Sequence, residues 1–441
     1  MSFFLRYQKN GVAMTESFPP PGFITSQSVV EGIEVYMPAP LEKETQERVI
    51  DFSCPQCGAT TAYSVEDGGL TCSHCGYCGY YEAPPKEAVG KGAQEFEFTV
   101  ETLERSAHGW GGDRNEIECQ NCGAVTSVPL ENLTHTCAFC GSNKVIQRQA
   151  IRDILRPRFL IPFKIETIDC REIARDWLGN SWIVPSKLRN IAGQTNFTGV
   201  FLPFWTFDTN TEADWKAEVG HTKTKRYYSN GKWKTKTVTE WRWESGHVEE
   251  NYDDLLVEGT DRVSHLLLSR IKDFDLGALV PYEPKFLAGL QAKAYEVPLE
   301  RGWEISRQQM REQTRQVCRD QASTPKIRNF SMQMDYSEES WRYILLPVYL
   351  ATYSFMNKVY QVMVNGQTGA IAGQRPVDWT KVWFVFAALL TPGLLLGLIG
   401  LITIPFGGIG AAIGFFGFLL LVIGVVIGII ILRKAYQFDD V

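Results

Sequence analysis

Cys54-Pro55-Gln56-Cys57-Gly58 and Cys72-Ser73-His74-Cys75-Gly76 recur 65 residues later as Cys119-Gln120-Asn121-Cys122-Gly123 and Cys137-Ala138-Phe139-Cys140-Gly141. In each half, fourteen residues separate the inner cysteines, Cys57 from Cys72 and Cys122 from Cys137. Two residues between paired cysteines make a tight turn that aims both sulfurs at one point. The glycine that follows admits a positive φ, so backbone amides can turn toward those sulfurs. Two such turns joined by a short hairpin close a tetrahedral sulfur cage suited to zinc. Four thiolates leave no coordination position for water, so each site is expected to be structural, the metal replacing a core that so short a segment cannot build.

Two zinc ribbons are therefore expected, one held by Cys54, Cys57, Cys72 and Cys75, the other by Cys119, Cys122, Cys137 and Cys140. Iron in a rubredoxin-like cage is the rival metal. The chain has eleven cysteines, and the Cys-x-x-Cys pairing of eight of them points to metal knuckles in a reducing compartment rather than to disulfides. Cys78 repeats the same spacing after Cys75 and precedes Gly79, so Cys75/Cys78 competes with Cys72/Cys75 as the pair; the matching interval favours Cys72/Cys75. Cys170 and Cys318 stand alone and read as small buried hydrophobes. His74 and His135 lie near complete cysteine sets and read as bystanders. Between the ribbons, Phe96 to His108 reads as a short amphipathic helix with acidic residues.

The 441-residue chain carries a net charge of −6, which argues against nucleic acid as its main partner, because such proteins usually need a basic excess. Its mean hydropathy of −0.14 conceals an uneven distribution: charges run through the first 381 residues and then stop until Arg433. A helix of about fifty residues would be roughly 75 Å long, whereas one crossing takes about 20 residues. Two crossings fit, 382–403 and 409–432, with the break at Ile404-Pro405-Phe406-Gly407-Gly408. Lys381 before the first and Arg433 and Lys434 after the second are expected to place both chain ends in the cytoplasm, on the inner side of the cell membrane. Trp379, Trp383 and Tyr436 would lie at the interface. The pairs Gly393/Gly397, Gly410/Gly414 and Gly424/Gly428 let helices approach closely, either within the hairpin or between copies in a homo-oligomer.

The segments in order are an N-terminal extension (1–50), ribbons at 51–82 and 116–148 with a helical linker (83–115) between them, a soluble α+β body (155–375) and the hairpin. The body mixes strand-like runs, Gly199 to Phe207, Ile344 to Met356 and Val359 to Val364, with expected helices at Asp169 to Leu178, Asp253 to Lys272 and Gln308 to Ala322. Leu202-Pro203-Phe204-Trp205 and Leu346-Pro347-Val348-Tyr349 look like one element used twice, which suggests two related sheet units. Tyr360 to Gly369 reads as a strand leading into a glycine-bearing turn, similar to the terminal strand of small peptidase-propeptide-like domains.

A β-hairpin is expected at 221–243, turning at Asn230-Gly231, the strongest two-residue hairpin signal. That turn sets Tyr228 opposite Trp233 and Lys225 opposite Lys236. One face then carries Tyr228, Trp233, Trp241 and Trp243, the other Lys223, Lys225, Lys234 and Lys236. With Arg226 and Lys232 these cations form a candidate contact for anionic lipid headgroups or nucleic acid, against the plainer reading of a solvated face. Catalytic signatures are missing: there is no Gly-x-x-x-x-Gly-Lys-Ser/Thr loop, no His-Glu-x-x-His and no Gly-x-Ser-x-Gly. Glu249, Glu250, Asp253 and Asp254 read as a solvated loop or a helix start. The chain is expected not to be an enzyme.

The ribbons, together with Leu202-Pro203-Phe204-Trp205-Thr206-Phe207-Asp208, Leu276-Gly277-Ala278-Leu279-Val280-Pro281-Tyr282, Leu346-Pro347-Val348-Tyr349-Leu350-Ala351-Thr352-Tyr353, Val364-Asn365-Gly366-Gln367-Thr368-Gly369 and the apolar C-terminal segment, resemble in order a family of bacterial membrane proteins with TFIIB-type zinc ribbons, often labelled primosomal-helicase-like. The missing nucleotide-binding loop contradicts the helicase label. Some proteins similar to that family accompany stomatin/flotillin-like (SPFH) and phage-shock-protein-A-type membrane-stress proteins. The resemblance therefore implies a membrane-anchored scaffold or adaptor recruiting protein partners. A membrane-tethered nucleic-acid binder using the ribbons and the basic hairpin is the alternative.

Overall fold

The computed structural model of the chain describes residues 23–26, 35–38, 52–80, 96–97, 115–128, 137–149, 155–179, 181–185, 187–188, 195–261, 263–356, 358–403 and 408–439. The chain divides into two units, Met1–Glu47 and Arg48–Val441. In the first, β1 (Phe23–Ser26) pairs antiparallel with β2 (Val35–Pro38). Both cysteine sets, the soluble body and the apolar helices, separate segments by sequence, share the second unit.

The first cysteine set sits on a small antiparallel sheet of β3 (Ala62–Ser64), β4 (Gly69–Thr71) and β5 (Cys78–Tyr80). The helix expected from Phe96 to His108 does not begin as one. Phe96–Glu97 is a strand, β6, with Phe96 opposite Trp341, and the remainder lies outside the described residues. Backbone pairing to a neighbouring strand has overridden the local periodicity here. The second cysteine set is carried by β7 (Asn115–Cys119), β8 (Val125–Val128) and β9 (Val145–Gln149), with β7 central.

These strands belong to a larger sheet with β10 (Phe159–Leu160), β11 (Thr198–Ser229), β12 (Lys232–Glu258), β13 (Val280–Pro281), β14 (Gln291–Ala292), β15 (Ile327–Phe355), β16 (Lys358–Asn365) and β17 (Ile371–Gly373). Neighbours run β13-β10-β15-β11-β14-β8-β7-β9, with β12 on β11, β16 on β15, and β17 on β16. The centre is buried on both faces. Phe201, Trp205 and Phe207 join one apolar cluster with Trp341, Tyr343 and Tyr349, while Val200, Leu202 and Phe204 join another with Ile344, Leu346 and Val348. A strand covered on both sides needs apolar residues at consecutive positions, which is why these stretches read as unbroken hydrophobic runs. The two Leu-Pro elements are direct partners within this one sheet, Leu202 opposite Leu346, rather than the seeds of two sheet units. Each proline carbonyl takes an outside donor: the Gly259 amide reaches Pro203 O at 2.9 Å and the Gly366 amide reaches Pro347 O at 2.9 Å.

Helix α1 (Thr167–Gly179) forms where expected and buries Cys170, Ala174 and Leu178. The segment Asp253 to Lys272 does not form one helix. Residues 253–258 end β12, with Leu255 opposite Phe207 and Val257 opposite Trp205, and among the described residues of the segment only α2 (His265–Leu268) is helical. The apolar run that suggested a helix is instead held in extended form by cross-strand partners. Helix α3 (Leu299–Gln321) starts nine residues before the expected Gln308. Its buried stripe, Leu299, Trp303, Ser306, Met310, Thr314 and Cys318, follows helical spacing, and Trp303 packs on Phe207 at 5.3 Å. Cys170 and Cys318 are both fully buried, as small apolar side chains are, and burial lifts the Cys170 thiol to about 12.

Helices α4 (Trp379–Thr403) and α5 (Gly408–Asp439) are long and apolar enough to cross a membrane. They pack on each other through glycines. A Cβ on Gly400 would fall on the backbone of Gly414, one on Gly417 on the backbone of Gly397, and one on Gly393 on the backbone of Leu421. Gly400→Leu or Gly417→Leu is therefore expected to widen the helix pair by about 2 Å, the spread that side chains impose on interaxial distances. Spin labels near Trp383 and Tyr436 would measure it, and an unchanged separation would refute the glycine contact. The pair is tied to the body at its base. The Asp378 amide donates to Ile183 O at 2.8 Å, Lys381 Nζ donates to Val184 O at 3.1 Å, and Ile183, Val382 and Ala435 share a buried cluster.

Candidate metal centres

Each cysteine set converges on a point. In the first, Cys54 Sγ lies 3.4 Å from Cys75 Sγ and Cys57 Sγ lies 3.6 Å from Cys72 Sγ. In the second, the matching distances are 3.5 Å for Cys119 to Cys140 and 3.6 Å for Cys122 to Cys137. Within each set all four sulfurs lie within 4.8 Å of one another. A metal–sulfur bond near 2.3 Å gives a tetrahedral edge of about 3.8 Å, so both sets fit a metal ion with little movement. The turns repeat as the spacing implies: the amides of Gly58, Gly76, Gly123 and Gly141 close onto the carbonyls of Cys54, Cys72, Cys119 and Cys137 at 2.8, 2.9, 2.8 and 2.8 Å. All four glycines have φ between 70° and 74°, which explains the residue type. Cys78 lies outside the converging group; it sits in β5 opposite Thr71, which leaves Cys72/Cys75 as the pair. His74 is not among the converging atoms, and His135 lies outside the described residues.

The thiols are electrostatically unequal. The Cys75 amide directed at Cys72 draws that thiol down to about 6. Cys75 itself rises to about 12: the Tyr77 amide pulls it down, but burial and the sulfurs of Cys54, Cys57 and Cys72 outweigh that pull. In the second set burial raises Cys119, yet the amides of Cys122 and Asn121 bring it to about 7, while burial pushes Cys137 up. In each set one thiol is lowered while burial and neighbouring sulfurs raise another, because thiolates side by side repel. A bound cation removes that repulsion, and this is the chemical demand the donor sets make.

Their mounting differs more. Cys57 and Cys75 are exposed, and the first set meets the body along one edge, where the Tyr63 amide donates to Ala288 O at 3.1 Å and the Tyr63 ring packs on Phe286 at 5.2 Å. The second set is part of the body's core. Cys119, Ala124, Cys137, Ala138 and Phe139 share a cluster with Leu202, Ile344, Leu346 and Leu350. Gln361 Nε2 donates to Phe139 O at 2.6 Å. Lys293, 1% exposed, donates to Val125 O at 3.1 Å, pairs with Glu296 at 3.0 Å and lies 5.5 Å from the Phe139 ring centre. Nothing near Lys293 in the sequence marks it as a joint. A chelator is accordingly expected to strip metal in two phases, the first set first and the second more than about tenfold slower, since it must wait for a larger opening. Loss of the fast phase in Cys57→Ser would assign it; a single phase in the wild type would contradict the inequality.

The hairpin forms with the expected register, Tyr228 opposite Trp233 and Lys225 opposite Lys236, around Asn230 (φ 53°) and Gly231 (φ 73°). Lys223, Lys225, Lys232, Lys234 and Lys236 share one face, and Arg226, opposite Thr235, joins the aromatic one. Lys223 pairs with Glu240. The acidic cluster departs from expectation: Glu249, Glu250, Asp253 and Asp254 lie in β12, and Asp254 is buried. Its partner is Arg342, 1% exposed, which also donates to Thr206 Oγ1 at 3.2 Å. Asp208 and Asp253 lie beside Asp254 where the register of β11 slips against both β12 and β15. Arg342 supplies the cation there.

No protein-family model matches the chain, and no solved structure matches it. The chain is similar to an uncharacterized protein, YdjG, of Bacillus subtilis (strain 168), with 25% identity over 358 residues, covering 79% of this chain and 99% of that protein.

Proposed function

We infer that the chain is a non-enzymatic scaffold held in the cell membrane, with zinc in both cages and both ends of its helical hairpin in the cytoplasm, recruiting protein partners to the bilayer surface. The observation that carries this reading is continuity: the second cage shares its core with the central sheet, and that sheet's last strand, β17, leads within a few residues to α4. Closed four-sulfur cages offer a bound substrate no open position, which suits bracing rather than catalysis. The first cage stands at the edge with two exposed ligands, so it is the part of the scaffold free to meet a partner. Because the glycines of α4 and α5 are engaged with each other, partners are expected on the soluble part.

The test is purification of the full chain in mild detergent, with partners identified by mass spectrometry. A stoichiometric membrane-stress protein of SPFH or phage-shock type that is lost in Cys57→Ser supports the reading. Co-purifying nucleic acid in its place would favour the tethered nucleic-acid binder.

A further inference from the structure

Between Thr222 and Thr239 the chain carries six cations and no acid, although the protein as a whole is acidic. Strand β15 leaves the ladder at Ile327, opposite Val219, so beyond this point the hairpin is a two-stranded ribbon of about 35 Å at 3.3 Å per residue. The base of its aromatic stripe is already occupied. Trp241 lies under Arg328 at 4.2 Å and Trp243 under Lys216 at 5.0 Å, each a cation–π contact within the fold. Lys223 is likewise neutralised by Glu240. The outermost turns differ. Tyr228 and Trp233 touch edge to face at 5.4 Å and remain 62% and 72% exposed. Beside them Lys225, Arg226, Lys232, Lys234 and Lys236 are exposed. Uncovered rings and unneutralised cations thus coincide in the last few residues on either side of the turn.

We propose that this tip is a docking element for an anionic bilayer surface, entered end-on. The arrangement of faces selects the partner. A nucleic-acid strand lying along the ribbon needs rings for its bases and cations for its phosphates on the same side. Here the lysines share their face with a single ring, Tyr227, while Tyr228 and Trp233 lie on the other with Arg226 the one cation beside them. End-on entry uses both faces together. Tyr227, Tyr228 and Trp233 occupy the interfacial zone that aromatic rings favour, and the lysines on one face and Arg226 on the other reach headgroup phosphates along their apolar stems.

The test keeps the full chain intact. The protein is held by its apolar helices in phosphatidylcholine nanodiscs and floated with separate vesicles, either of phosphatidylcholine alone or of phosphatidylcholine mixed with phosphatidylglycerol. Recovery with the anionic vesicles alone, falling as salt is raised, is expected. Each Lys→Gln change at the tip should lower partitioning about fivefold, and Lys225→Gln/Arg226→Gln/Lys234→Gln/Lys236→Gln together several hundredfold, by roughly the per-cation attraction to such a surface. Tyr228→Ser/Trp233→Ser should remove the salt-resistant remainder. Metal content unchanged from the wild type certifies that each variant is folded. Equal recovery with both vesicle types, full recovery of the charge-neutralised variant, or retention by single-stranded oligothymidine without vesicle capture would each overturn the proposal.

Discussion

Cys137→Ser is expected to abolish the cooperative unfolding transition of the soluble body, whereas Cys57→Ser is expected to leave that transition in place. Both substitutions break a cage, and both should lower bound metal from two equivalents per chain to one. They differ in what the cage holds up. Cys137 is buried within the cluster that also contains Ile344, Leu346 and Leu350, so opening the cage there is expected to loosen the central sheet itself. Structural metal of this kind contributes on the order of 10 kcal/mol to folding, as much as the net stability of a whole domain. Cys57 is exposed on a module attached along one edge. Metal analysis of the purified variants and near-ultraviolet circular dichroism on heating would measure both effects. A Cys137→Ser protein that melts like the wild type would show that the second cage is not integral to the core.

Arg342→Met should destabilise the body by about 3–5 kcal/mol, because it leaves the Asp254 carboxylate buried without its counter-charge. Arg342 and Asp254 are 1% and 4% exposed as side chains, and the Asp254 amide is itself fixed by Asp208 Oδ1. Removing both charges costs less than removing one, since a neutral amide in place of the carboxylate no longer needs the guanidinium. Asp254→Asn is the suitable second change because Asp254 sits at φ 59°, a conformation asparagine tolerates. In a double-mutant cycle read from denaturant midpoints, Arg342→Met with Asp254→Asn should be clearly more stable than the summed single changes. Strict additivity would mean that the two side chains do not stabilise each other.

Some features were legible because their causes are local. The cysteine turns are set by two intervening residues and a glycine, the hairpin turn by Asn230-Gly231, and the long apolar helices by some fifty residues without a charge. Cys78 was ambiguous for the same reason: spacing alone allows two pairings, and only the positions of the sulfurs exclude one. The extent of β11 past Phe207 carried a signal that was missed. Ala213, Trp215 and Ala217 alternate with Glu212, Asp214 and Lys216 at a period of two, and it is the apolar set that is buried.

The spacing of cysteines, one turn dipeptide and the distribution of charge thus determined by themselves that this protein has two four-sulfur cages, a basic hairpin and two apolar helices, since each is specified within a short window of chain. Only the tertiary structure decided that 253–258 would be a strand, that Asp254 would meet Arg342 across 88 residues of sequence, and that Lys293 would bind Val125 across 168. Those outcomes depend on which distant groups share a desolvated interior, where a buried charge or an extended backbone is stable only beside its partner.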